Sequence, residues 1–177
     1  MIEPFTVRQT ISSDGELLRS LRIASLKDAP FAFGAKLDEV LAQPAQAFYD
    51  AAVRHSISET STSFIAFSGA QAIGTIGAFF EQLSHNRAFI CALWVAPQFR
   101  GGGRACTLVN VAVAWLFARG AGEVFAWVAD NNMRALALYG KVGFLPTAVS
   151  QPLPSNEAQG ETLLCYRKPI VSIAASE

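Results

Sequence analysis

Apolar and polar positions along the chain alternate in two rhythms, one of strands and one of helices. Glu3 to Val7 reads as a short first strand. Ser13 and Asp14 form a helix-start signal, and apolar residues follow at Leu17, Leu18, Leu21, Ala24 and Leu26. A helix is therefore predicted from Asp14 to Lys27, stopped by Pro30. A turn from Asp28 to Gly34 carries Phe31 and Phe33, and a second helical region runs from Lys36 to Arg54, interrupted at Pro44. Ser56 to Ser63 reads as a polar loop. Phe64–Phe67 and Ala72–Phe80 then read as a hairpin turning at Ser68–Gln71. Glu81 to Arg87 reads as a polar turn and Ala88 to Val95 as a strand, followed by a glycine turn and a helix to Arg119. Val124–Val128 is apolar enough to be buried on both faces. Met133–Val142 reads as a helix, and Phe144–Val149 and Thr162–Tyr166 as final strands joined by a loop rich in Pro, Ser, Gln and Gly. The order is β-α-α-β-β-β-α-β-α-β-β. This predicts an α+β fold, with a mixed, mostly antiparallel sheet flanked by helices on both faces. One domain is expected over residues 1–170, with 171–177 as a tail.

Composition narrows the function classes. The chain is 51% hydrophobic and 16% charged, against roughly 25% charged in an average globular domain, so an ordered core is expected. Lys plus Arg and Asp plus Glu number 14 each, and no basic run marks a nucleic-acid face. No apolar run nears the roughly 18 residues of a membrane span, and the N-terminus lacks a secretory pattern. Cys91, Cys106 and Cys165 form no CxxC and have no His neighbour, which predicts reduced thiols, no metal and a cytoplasmic location.

The stretch Val95-Ala-Pro-Gln-Phe-Arg100-Gly101-Gly102-Gly103-Arg104-Ala105 joins a strand to a helix. Consecutive glycines let backbone N–H groups converge on one concavity, and a helix N-terminus adds unpaired donors. Arg100 and Arg104 add charge, so the stretch is a candidate pyrophosphate seat. No Lys-Ser/Thr follows the last glycine, and the spacing is not GxGxxG, so neither a Walker loop nor a dinucleotide turn is present. Further on, Asn132 can cap a helix on which Ala135 and Tyr139 share a face. A phenol placed there can serve as a proton donor.

Val95-x-Pro-x-x-Arg100-Gly-x-Gly103-x-Ala105, together with Asn132-x-x-Ala135-x-x-Leu138-Tyr139-x-Lys141-x-Gly143-Phe144, resembles the two core motifs of the GNAT superfamily of acetyl-CoA-dependent N-acetyltransferases. The resemblance covers residues 62–168, and more weakly the two preceding helices. It implies acetyl-CoA as co-substrate and transfer of acetyl to a primary amine by direct attack. It also implies a pyrophosphate loop at Arg100, Gly101, Gly102, Gly103, Arg104 and Ala105. Leu93, Trp94 and Val95 match a bulged, splayed strand beside the pantetheine arm. Asn132 matches a residue near that arm, and Tyr139 matches the general acid. Relatives often dimerise.

One departure concerns the base. Family members often carry a Glu on the strand equivalent to Phe89–Val95, and here that strand has no carboxylate. Glu81 and His85 are the candidate bases. The missing carboxylate also keeps open a non-catalytic acyl-CoA-binding module or sensor. Phe31 and Phe33 match the segment that walls the acceptor pocket. That pocket shows no acidic cluster, which leans toward an amino acid, a peptide N-terminus or a small amine. Cys91 and Cys106 lack a supporting base motif, so a covalent acyl-enzyme is disfavoured.

Overall fold

Alternate residues of the strand Ser61–Ser68 pack into two different cores: Phe64 and Ala66 join one, Ile65 and Phe67 the other. Side chains alternate faces along a strand, so a strand apolar at every position must be covered on both sides. The computed structural model describes residues 4–82 and 84–168, without the side chains of residues 84–86. The elements in order are β1 (Thr6–Gln9), α1 (Gly15–Asp28), α2 (Leu37–Ala42), α3 (Ala45–Ile57), β2 (Ser61–Ser68), β3 (Gln71–Glu81), β4 (Ser84–Val95), α4 (Arg104–Ala118), β5 (Glu123–Ala129), α5 (Met133–Val142), β6 (Leu145–Leu153) and β7 (Asn156–Arg167). Among the described residues the strands form one seven-stranded sheet in the order β1-β2-β3-β4-β5-β7-β6, in which β4 and β5 run parallel and the other neighbours antiparallel. Helices α4 and α5 cover one face, where Leu108, Val109, Ala112 and Leu116 meet Ile76, Ile90 and Val124. Helices α1 and α2 cover the other, where Leu21, Leu26 and Val40 meet Ile65 and Trp94. The mixed α+β architecture agrees with the pattern of the sequence.

One strand changes phase. Ala88 and Ile90 point toward α4, but beyond them it is Leu93 and Val95 that do so, while Trp94 faces α1. The register shows the cause: on β4, Cys91 to Trp94 spans three steps where its partner β3 spans the two from Gly77 to Thr75. The extra residue makes a bulge at Ala92, whose φ of +52° is the one positive value among the described non-glycine residues. Pairing between β4 and β5 stops at Phe89 and Phe125, although β5 stays paired with β7 as far as Ala129. The two parallel strands therefore splay, and a cleft opens between them.

Three expectations need correction, the first being the turn at Glu81–Arg87, because β3 reaches Glu81 and β4 begins at Ser84. The region between Val149 and Thr162 is not a loop. β6 reaches Leu153, β7 starts at Asn156, and only Pro154 and Ser155 turn the chain. Its polar composition reflects exposure: β6 lies at the sheet edge, where prolines such as Pro146 and Pro152 are tolerated. The polar loop at Ser56–Ser63 is also shorter, because α3 extends to Ile57 and β2 begins at Ser61. The expected tail, 171–177, lies outside the described residues.

Candidate active site

The glycine turn follows β4 through a short 3-10 turn, Pro97–Phe99. Gly101, Gly102 and Gly103 have φ of +91°, +58° and +78°, conformations that side-chain-bearing residues seldom adopt, and all three are exposed. Gly103 is the N-cap of α4. A run of left-handed residues ending at a helix start is a concave set of backbone donors suited to an anion. A pyrophosphate therefore fits the backbone here.

The two arginines flanking the turn do not reach into it as formal charges. Arg100 folds back: its Nε donates to the Val95 carbonyl at 3.0 Å, and its Nη2 pairs with Asp28 at the end of α1. Trp94 Nε1 donates to the same carboxylate at 2.9 Å. Arg104 is 7% exposed, with its guanidinium over the Phe5 ring. The groups that the turn itself presents are therefore its backbone N–H donors, with Arg100 held beside Asp28 and Arg104 largely buried. Ala105 is partly buried against the α4 core.

The splay between β4 and β5 forms a cleft of about 330 Å³. Its walls include Leu93 of β4 and Asn132, Ala135 and Tyr139 from the start and face of α5. Trp94 and Val95 do not line it, because the bulge sends them into the two cores. Asn132 caps α5, its Oδ1 accepting from the Ala135 N–H at 3.1 Å. Tyr139 is fixed by an edge-on contact with Phe144 at 5.2 Å. Gly143 (φ +111°) closes the helix with a bond to the Tyr139 carbonyl. Tyr139 is 5% exposed, and burial, followed by the neighbouring Cys91 thiol, pushes its phenol well above the usual value. It is therefore held protonated.

Cys91 lines the same cleft, open to solvent on one side and enclosed by protein on the others. Burial pushes its thiol up, which Arg22 partly offsets. A thiol held protonated is a weak nucleophile, in keeping with the expectation against a covalent route. Phe33 lines the cleft and is 8% exposed, whereas Phe31 is 48% exposed and does not line it.

Glu81 does not line the cleft: its carboxylate lies 3.4 Å from Arg87 at the far end of β3. The His85 side chain lies outside the described residues. The carboxylate that the cleft does hold is Glu161, on β7 opposite Ala129. It is 6% exposed and accepts from Gln151 Nε2 at 2.7 Å. Reading Asn156–Glu161 as loop hid it. Once that segment is strand, its register with β5 puts Glu161 beside the Asn132 motif. The structure also brings in Arg22 of α1, another residue the sequence reading passed over.

The model of the acetyltransferase (GNAT) family matches residues 21–144. An N-alpha-acetyltransferase, MAK3, from Arabidopsis thaliana is 35% identical over 85 residues, covering 46% of this chain and 44% of that protein. The chain spans less than half the length of the curated relatives it matches. A GNAT acetyltransferase from Streptococcus pneumoniae superposes with a TM-score of 0.78 over 93% of this chain and 100% of that one, at 16% identity. Spermidine N-acetyltransferase from Vibrio cholerae, solved with CoA and spermine, superposes at 0.73 over 92% and 95%, at 17% identity. With the bulged strand, glycine turn and tyrosine helix in place and the family model matching most of the sequence, the chain belongs to the GNAT acetyltransferase family.

Proposed function

We propose that the protein transfers an acetyl group from acetyl-CoA to a primary amine by direct attack. The observation that carries this reading is the shared cleft: the fork between β4, the strand that precedes the glycine turn, and β5 holds a buried phenol and a buried carboxylate. Acetyl-CoA supplies the thioester. The Gly101–Gly103 backbone and the start of α4 hold its pyrophosphate. Past Phe89 the edge of β4 is released from β5 and offers backbone groups to the pantetheine arm and the thioester carbonyl.

Glu161 takes the proton of the attacking amine, in place of Glu81, whose carboxylate sits beside Arg87 and outside the cleft. The N–C bond forms as the C–S bond breaks. The Tyr139 O–H donates to the sulfur as charge develops there, and the products are an N-acetylamine and the free CoA thiol. The curated relatives support an amine acceptor, as do the free thiols Cys91, Cys106 and Cys165 a reducing, cytoplasmic setting.

The test is release of CoA thiol across a panel of amines. Turnover with at least one primary amine, and its loss in Tyr139→Phe with acetyl-CoA binding intact, is the expected result. Tight acetyl-CoA binding without thiol release on any amine points instead to an acyl-CoA-binding module.

A further inference from the structure

Arg22 stands where a helix of this kind ordinarily has an apolar residue. Leu18, Arg22 and Leu26 are spaced four apart on α1, and the two leucines pack into the cluster beneath the sheet with Phe33 and Trp94. The guanidinium is thereby held on the covered side of the helix. Its carbon lies 5.2 Å from the Phe33 ring centroid, and the residue forms part of the cleft wall with Cys91 and Tyr139. Its Nη1 is removed from solvent and has no hydrogen-bond partner among the described residues. No carboxylate lies within ion-pair distance of it among those residues, and burial works against its charge.

Arg22 is half-buried, and a guanidinium nitrogen removed from water without a partner is costly to keep, a cost that an anion entering the cleft would offset. The cleft's own carboxylate, Glu161, is already engaged by Gln151. A planar guanidinium with a free edge matches a carboxylate in both shape and charge.

We propose that Arg22 receives a carboxylate of the acceptor, so that the substrate class is a small amino-carboxylic acid. Its amine faces Glu161 and Tyr139 while its acid group neutralises Arg22. This rests on the acetyl-transfer reading and names its substrate class. An extended peptide N-terminus, whose α-carboxyl is tied up as an amide, leaves Arg22 unpaired, and so does a polyamine.

The experiment compares amino acids with their own α-amides on the full-length protein. The measurement is the acid-to-amide ratio of kcat/KM, together with the thermal shift each compound gives to the acetyl-CoA-loaded protein. The acids are expected to be preferred at least tenfold. Arg22→Met should lower the ratio at least tenfold with acetyl-CoA affinity kept, and Arg22→Lys should lower it less. Should Arg22→Met fold poorly, the Lys variant supplies the comparison. Equal use of acid and amide by the wild type, or an unchanged ratio in the folded variants, overturns the proposal. If no amine is turned over, the acetyl-transfer reading fails by itself. The thermal shift still decides the Arg22 proposal: stabilisation by acids and not amides, lost in the variants, upholds it, and equal or absent stabilisation overturns it.

Discussion

Tyr139 and Glu161 are two buried polar side chains that face one cleft, and each invites a separate test. Tyr139→Phe removes the hydroxyl and keeps the ring against Phe144. Its kcat is expected to fall by about 10² or more, the usual contribution of a positioned proton donor, while the Kd for acetyl-CoA measured by calorimetry stays within about twofold. Because the phenol is pushed upward, it stays protonated throughout the neutral and mildly alkaline range. The kcat–pH profile should therefore show no falling limb from Tyr139 below about pH 10, its unperturbed value. Glu161→Gln should depress kcat/KM at neutral pH and recover with rising pH, as the amine comes to arrive already deprotonated. A flat deficit across pH would remove Glu161 from the role of base. The tyrosine was legible from its helix motif, because cap, tyrosine and closing glycine are local in sequence. Glu161 was not legible. Its meaning depends on strand pairing with β5 across some thirty residues of chain, and no local pattern carries such a partner.

At the scale of elements, helices and central strands were readable because burial imposes a period on them, as were the strands at Phe144–Val149 and Thr162–Tyr166, whereas their extensions through the mostly exposed segment between them were missed because exposure imposes none. The splay was anticipated only by family resemblance. What makes it is the joint action of the bulge and of the residues that pack it. Gly77 lies under the bulge, and a Cβ there would stand 2.9 Å from Cys91 Sγ. Gly77→Ala is therefore expected to cost on the order of 1–3 kcal/mol as overpacking, read from urea unfolding. In the Cys91→Ala background the penalty should shrink markedly, and an equal penalty in both backgrounds would show that the thiol is not the obstacle. The glycine turn behaves differently. Space beside Gly103 is open, so Gly103→Ala suffers only from its left-handed backbone, about 1–2 kcal/mol, and is expected to lower acetyl-CoA affinity more than stability.

Across the whole molecule, the front helices are joined to the sheet by polar as well as apolar contacts. His55 of α3 faces Ser63 at 2.9 Å, and Ser63 faces Thr10 at 2.7 Å. Burial, then the nearby Arg54, lowers the His55 pKa below its usual 6.5, so the folded chain holds the ring neutral where the unfolded chain would protonate it. The unfolded state binds the extra proton as pH falls below about 6.5. Stability is therefore full above that value and declines beneath it. Urea midpoints measured between pH 8 and 5 should fall, and the slope should diminish in His55→Gln. Asp14 acts in a different window: hydrogen bonding from Arg8 holds its carboxyl below the usual range, so its contribution is lost only in strong acid. No sequence pattern announced the His55 chain, since its members come from the residue just after β1, from α3 and from β2.

The bulge at Ala92 has a consequence for how this chain can change length. A strand is read in steps of two, and Ala92 acts as a one-letter insertion that shifts the frame of everything after it. Removing that letter would exchange the destinations of Trp94 and Val95. The indole would enter the packing beneath α4, and Asp28 would lose one of its two donors. Altering the letter is another matter. Glycine accepts the positive φ at position 92 without strain, so Ala92→Gly should be tolerated or mildly stabilising, while deletion of residue 92 should abolish folding. Position 92 can thus change to glycine, but β-branched or bulky side chains are strained there, and insertions and deletions of a single residue are closed to this strand.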